Sequence, residues 1–219
     1  MKTTVQVRLL ALAAMLLMVL TGCQTPPPEL QDIGQVPEFS FTDQSGQALG
    51  TKELAGKPWV ANFLFTSCPT ACPPLAKATA QIQNSVKSWA DGPQYPVKLV
   101  SISIDPVTDT PERLAEFGKE HGADPKMWHL VRGEYDAMEK LVTDGFMMPL
   151  MRKDMVEAIG DKTAIEDVKN RPTPVDTAHS ISFVLVDGKG RIRGIFRKDD
   201  EDLKLLDAAL RHLVNNPDA

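Results

Sequence analysis

The sequence predicts an α/β fold: a central mixed sheet flanked by helices, with an N-terminal hairpin. Three observations predict it. Residues 59–65 form an apolar run of aromatic and branched side chains, interrupted only by Asn62, which reads as a buried strand. Residues 97–104 are the clearest strand text in the chain and end at Asp105-Pro106. Helical text follows each strand, so crossover helices should cover a partly parallel sheet.

The chain starts with a short basic region, Lys2 and Arg8, and then an apolar stretch over 9–20 that is too short to span a bilayer. The stretch ends in Leu20-Thr21-Gly22-Cys23, which resembles the bacterial lipobox. Cleavage would precede Cys23, and its thiol would carry the lipid. The expected organisation is a lipoprotein signal peptide at 1–22, a lipid anchor and Pro-rich tether at 23–35, and one domain at 36–215. Such a chain lies on the extracytoplasmic side of a bacterial membrane, periplasmic or at the cell surface. Gln24 rather than Asp after the anchor points away from inner-membrane retention. Loss of Lys2 and Arg8 with the leader makes the formal charge of −5 two units more negative. A mildly acidic domain is not a nucleic-acid binder.

Within the domain, residues 36–43 alternate and turn at Gln44-Ser45-Gly46-Gln47, the hairpin signal. Gly56-Lys57-Pro58 punctuates entry into the central strand. Helical text runs from Leu75 to about Trp89, and Pro69, Pro73 and Pro74 ahead of it suit the first helical turn. Asp109-Thr110-Pro111-Glu112 reads as a cap followed by proline at the first helical position, and His121-Gly122 as the end of that helix. A short strand over 128–131 and a short helix over 135–142 follow. Strands over 181–186 and 191–196 flank Asp187-Gly188-Lys189-Gly190, a hairpin, and an amphipathic helix over 203–214 closes the chain.

The chemistry concentrates at Cys68 and Cys72, where the central strand hands over to a helix. Unpaired N–H groups and the positive dipole end at a helix start favour thiolate over thiol, and thiolate is both nucleophile and metal ligand. Four residues apart on a helical turn, the two sulfurs would share a face and could close a disulfide or hold one ion. The alternative is a structural disulfide or two small buried side chains. Soft thiolates select Cu(I), and an added imidazole also suits Cu(II). Three residues separate the cysteines, where a thioredoxin-type redox centre has two.

Three blocks resemble the Sco/SenC family: Phe65-Thr66-Ser67-Cys68-Pro69-Thr70-Ala71-Cys72-Pro73, Ser103-Ile104-Asp105-Pro106-Val107-Thr108-Asp109-Thr110-Pro111, and His179-Ser180 leading into Phe183-Val184-Leu185-Val186-Asp187. The resemblance implies a thioredoxin-like fold and a copper site, Cu(I) or Cu(II), with Cys68, Cys72 and His179 as ligands. It implies a monomeric metallochaperone that delivers copper to the binuclear copper centre of cytochrome c oxidase, in subunit II, or to another copper-receiving client. It also leaves open a thiol–disulfide oxidoreductase that reduces client cysteines through the redox pair Cys68 and Cys72, which would then close a Cys68–Cys72 disulfide, and a membrane-tethered redox or copper sensor. A peroxiredoxin would show one peroxidatic cysteine rather than a pair. The chain departs from the family at Thr70 and Ala178, where the family often has Asp, which bears on the partner of the histidine.

Other candidates read as structure. Asp105 and Asp109 suit a strand-ending turn and a helix cap. His121, His129 and His212 suit structural or surface roles. Met147, Met148, Met151 and Met155 suit packing, with thioether contact to copper as the alternative. Residues 145–178 lack firm periodicity and read as a flap leading to His179.

Overall fold

The computed structural model describes residues 29–90, 95–148, 150–152, 175–176 and 182–218, and of 151–152 and 175–176 the backbone only. The N-terminal part gives β1 (Gly34–Gln35), β2 (Ser40–Asp43), β3 (Ala48–Gly50), the short α1 (Thr51–Leu54) and the central strand β4 (Trp59–Leu64). Then α2 (Cys72–Trp89), β5 (Lys98–Ser103), α3 (Pro111–Glu120), β6 (Trp128–Arg132) and α4 (Tyr135–Lys140) alternate as the pattern predicts. The chain closes through β7 (Met151–Arg152), β8 (Val175–Asp176), β9 (Ser182–Val186), β10 (Arg191–Arg197) and α5 (Asp200–Asn215).

Eight strands form one sheet in the order β1-β10-β9-β4-β5-β6-β2-β3, while β7 and β8 pair separately. The centre, β4-β5-β6, is parallel, and β9 and β2 flank it antiparallel. β4 lies between β5 and β9 and is buried at every position, as text that is apolar but for Asn62 predicts. Each of its large side chains contributes roughly 1.5–3 kcal/mol by leaving water. Asn62 is tolerated because its amide donates to the Thr79 hydroxyl at 3.0 Å, which donates on to the Leu75 carbonyl at 2.9 Å. That chain fastens the sheet to α2.

Two boundaries differ from the sequence reading. The domain begins before residue 36: the N–H groups of Gln31 and Ile33 donate to the carbonyls of Arg193 and Ile192, and β1 continues along that edge. A two-residue strand is too short to carry a period, so the tether text hid it. The helix read over 135–142 is α4 followed by a π-helical turn, Leu141–Gly145. Phe146 ends that turn edge-on to Trp59 and Phe63, at ring separations of 6.0 and 5.1 Å. Beyond it Met147 has a positive φ of 54° and is 54% exposed, while Met148 is buried in the core. Met148 is therefore packing. Met155 and the side chain of Met151 lie outside the described residues. Among the described residues, no helix is long and apolar enough to cross a membrane.

Candidate metal centre

The cysteines lie beyond the C-terminal end of β4, in the crevice position where open parallel sheets bind ligands. Helix α2 begins at Cys72. Pro73 and Pro74 fall in its first turn, as expected, but Pro69 lies ahead of it in the connecting loop. Cys68 therefore shares no helical face with Cys72. It sits before the helix and closes it.

The local sequence explains how. A helix start leaves N–H groups without intrahelical acceptors. Ala71, at the cap position, has no side-chain acceptor to offer, and Pro73 and Pro74 have no N–H. The N–H of Cys72 remains, and it donates to the Cys68 sulfur at 3.4 Å. The N–H of Cys68 itself donates to the Phe65 carbonyl at 3.2 Å, which folds the loop back onto the strand.

This arrangement splits the two thiols. A hydrogen bond from the Cys72 thiol lowers the Cys68 pKa to about 4, against the opposing effect of burial, and the N–H groups of Thr70, Cys72 and Ala71 add to the lowering. The same bond, with burial and the negative charges of Cys68 and Asp109, pushes the Cys72 thiol far up. Cys68 is thus the thiolate and Cys72 its proton donor. Both are more deeply placed than the strand-to-helix position suggested, at 5% and 3% exposure. Neither sulfur is in a disulfide. The exposed Thr70 acts here through its backbone N–H.

A second loop holds the first in place. Asp109 is not a helix cap: Thr110 caps α3, accepting from the Arg113 N–H at 3.4 Å. Asp109 is fully buried, and its carboxylate accepts from the Thr66 hydroxyl at 2.5 Å, the Thr66 N–H at 3.2 Å and the Ser103 hydroxyl at 2.6 Å. It ties the turn before Cys68 to the end of β5. Asp105 keeps its turn role: its side chain accepts from the Thr108 N–H at 3.0 Å, and burial raises its carboxyl. The sequence offered a signal for this division. Proline at the first helical position makes the residue directly before it the cap, which is Thr110 and leaves Asp109 for other work.

His179, Ala178 and Cys23 lie outside the described residues. The other histidines are engaged elsewhere. His121 packs tilted against Phe117 with ring centroids 4.3 Å apart, His129 lies between Asp43 and Lys98, and His212 is 3.4 Å from the Asn216 amide. Among the described residues no three His, Cys, Asp or Glu side chains gather as a metal cage. What they hold is a pair of sulfurs, one already ionised, which is a donor set for a soft cation.

The model of the SCO1/SenC family matches residues 28–215. The chain is 27% identical over 159 residues to the SCO1 protein homolog of Bacillus subtilis strain 168, covering 72% of this chain and 71% of that protein. A SCO1/SenC family lipoprotein from Bacillus anthracis str. Ames has a similar solved structure, at a TM-score of 0.67 and 28% identity, over 84% of this chain and 97% of that one. ScoI of Arabidopsis thaliana, solved with copper bound, shares the fold at a TM-score of 0.62 and 24% identity, over 83% of this chain and 99% of that one.

Proposed function

Because the chain belongs to the SCO1/SenC family, we propose that it is a membrane-tethered copper metallochaperone of cytochrome c oxidase assembly, with copper as its cargo at Cys68, Cys72 and His179. The observation that carries this reading is the pair of adjacent sulfurs at the mouth of α2, where the Cys72 thiol, and with it the N–H groups of Thr70, Cys72 and Ala71, favour thiolate at Cys68. A soft monovalent cation would meet one ionised sulfur and displace one proton, from Cys72. The topology suits a third ligand from the chain ahead of β9. That strand runs antiparallel to β4 with Ala61 opposite Val184, so Ser182 begins it at the end of the sheet where β4 leads to Cys68. His179 is three residues earlier in the sequence. Two thiolates and an imidazole leave the cation open to capture by an acceptor.

The asymmetry of the two thiols also favours a second reading, a thiol–disulfide oxidoreductase. Cys68 would attack a client disulfide as thiolate, one client sulfur leaving with the electron pair. Cys72, once deprotonated, would then attack Cys68 and release the reduced client. A lipid on Cys23 would hold either activity at the extracytoplasmic membrane face, with the oxidase subunit II or another copper-receiving protein as client and the chain acting as a monomer.

The test is copper stoichiometry and affinity of the reduced full chain, beside Cys68→Ala, Cys72→Ala and His179→Ala. One tightly held copper per chain, lost in both cysteine variants, is the expected result. Wild-type protein that binds no copper more tightly than the cysteine variants contradicts the carrier reading and leaves the reductase.

A further inference from the structure

We propose that Asp109 is a positioning residue that sets the reduction potentials of the Cys68–Cys72 site through its fixed negative charge. The proposal rests on the reading of this pair as the copper and redox site.

Three observations support it. First, the carboxylate is fully buried, and the contacts described for it are neutral: Thr66 through hydroxyl and N–H, and Ser103 through its hydroxyl. A charge kept in the interior on neutral dipoles keeps its field, because water does not screen it. Second, its placement is fixed from both sides. Ser103 ends β5, the Asp109 N–H donates to the Asp105 carbonyl at 2.9 Å, and Thr66 stands two residues before Cys68. Third, the charge stands at the turn that carries the sulfur: it accepts from the N–H of Thr66, and in the same turn the Cys68 N–H donates to the Phe65 carbonyl at 3.2 Å.

The consequences have definite signs. Reduction of a Cys68–Cys72 disulfide breaks the S–S bond and takes up two electrons and one proton, which leaves Cys68 as thiolate and Cys72 as thiol. The product is one unit more negative than the disulfide, so a nearby carboxylate disfavours it and lowers the potential. A site holding Cu(II) carries one more positive charge than the same site holding Cu(I). The carboxylate favours Cu(II) and lowers that potential too. A purely structural tie would have no reason to move both potentials the same way.

The experiment uses the full mature chain, wild type, Asp109→Asn and Thr66→Val. The dithiol is equilibrated in dithiothreitol redox buffers, and the copper potential is measured by titration of the loaded protein. Asp109→Asn keeps the shape and can still accept from Thr66, but it removes the charge. It should raise both potentials, each by on the order of a tenfold change in equilibrium constant, or about 59 mV for copper and about 30 mV for the dithiol. Thr66→Val keeps the charge and removes the hydroxyl that neutralises it, so both potentials should fall. Unchanged potentials in Asp109→Asn, or a rise in Thr66→Val, overturn the proposal. If Asp109→Asn does not fold, Thr66→Val decides alone: a fall supports the charge role and anything else refutes it. Wild-type protein that takes up no copper contradicts the copper reading, and the dithiol comparison still decides Asp109.

Discussion

The N–H of Cys72 points at the sulfur of Cys68 across 3.4 Å. This one contact closes helix α2, replaces the cap that Ala71 cannot supply and stabilises the anion at Cys68. Fold and chemistry therefore share a group. The first consequence is selective reactivity. With Cys68 held near 4 and Cys72 far above an ordinary thiol, iodoacetamide at pH 6 should label Cys68 and spare Cys72. Cys68 labelling should fall away only as the pH drops through about 4. Peptide mass spectrometry after brief labelling measures it, and equal labelling of the two cysteines contradicts the asymmetry.

Mild oxidation should join Cys68 to Cys72 reversibly. A thiolate beside a thiol at the start of a helix needs only local adjustment to reach disulfide geometry. Burial of both sulfurs should slow bulky thiol reagents more than small oxidants. Mass spectrometry that finds both thiols free after oxidation, or bonded only to Cys23, contradicts the pairing.

Most of the frame that carries this pair was legible in the sequence. β4 announced itself because a central parallel strand is buried on both faces and shows as apolar text broken only by Asn62, and β5 by its branched side chains ahead of Asp105-Pro106. α2 was legible, with Pro73 and Pro74 in its first turn, but the group that closes it was not. The sulfur of Cys68 does the capping, and no propensity scale anticipates a cysteine there. The role of Asp109 was masked by its neighbour, since Asp and Thr are both good caps and only the proline at 111 decides between them. β1 escaped because two residues of edge pairing leave no period to read.

Away from the site, His129 makes stability depend on pH. Burial, then the charge of Lys98, lower its pKa despite the Asp43 carboxylate 3.4 Å away. A histidine whose folded value lies below the unfolded one takes up protons more readily when unfolded. Its contribution is complete above about 6.5 and is lost as the pH falls from there through the folded value. Urea unfolding should show stability falling over that window. His129→Gln should flatten it, and an unchanged slope in that variant contradicts the assignment.

Anchoring is tested by the cysteine outside the domain. Cys23→Ala should remove the lipid and move the chain from the membrane fraction to the soluble extracytoplasmic fraction. A Cys23→Ala protein that still fractionates wholly with membranes contradicts the lipid tether.

The histidine separates carrier from reductase. Two thiolates alone hold Cu(I), so His179→Ala should weaken Cu(I) modestly, whereas Cu(II), which prefers nitrogen, should lose far more affinity and much of its charge-transfer colour. The decisive measurement is oxidase activity in cells or a reconstituted system carrying His179→Ala at normal protein level, with thiol exchange assayed in parallel. The copper-carrier account predicts loss of oxidase activity while thiol exchange stays normal. Full oxidase activity in His179→Ala contradicts the account and leaves the reductase in its place.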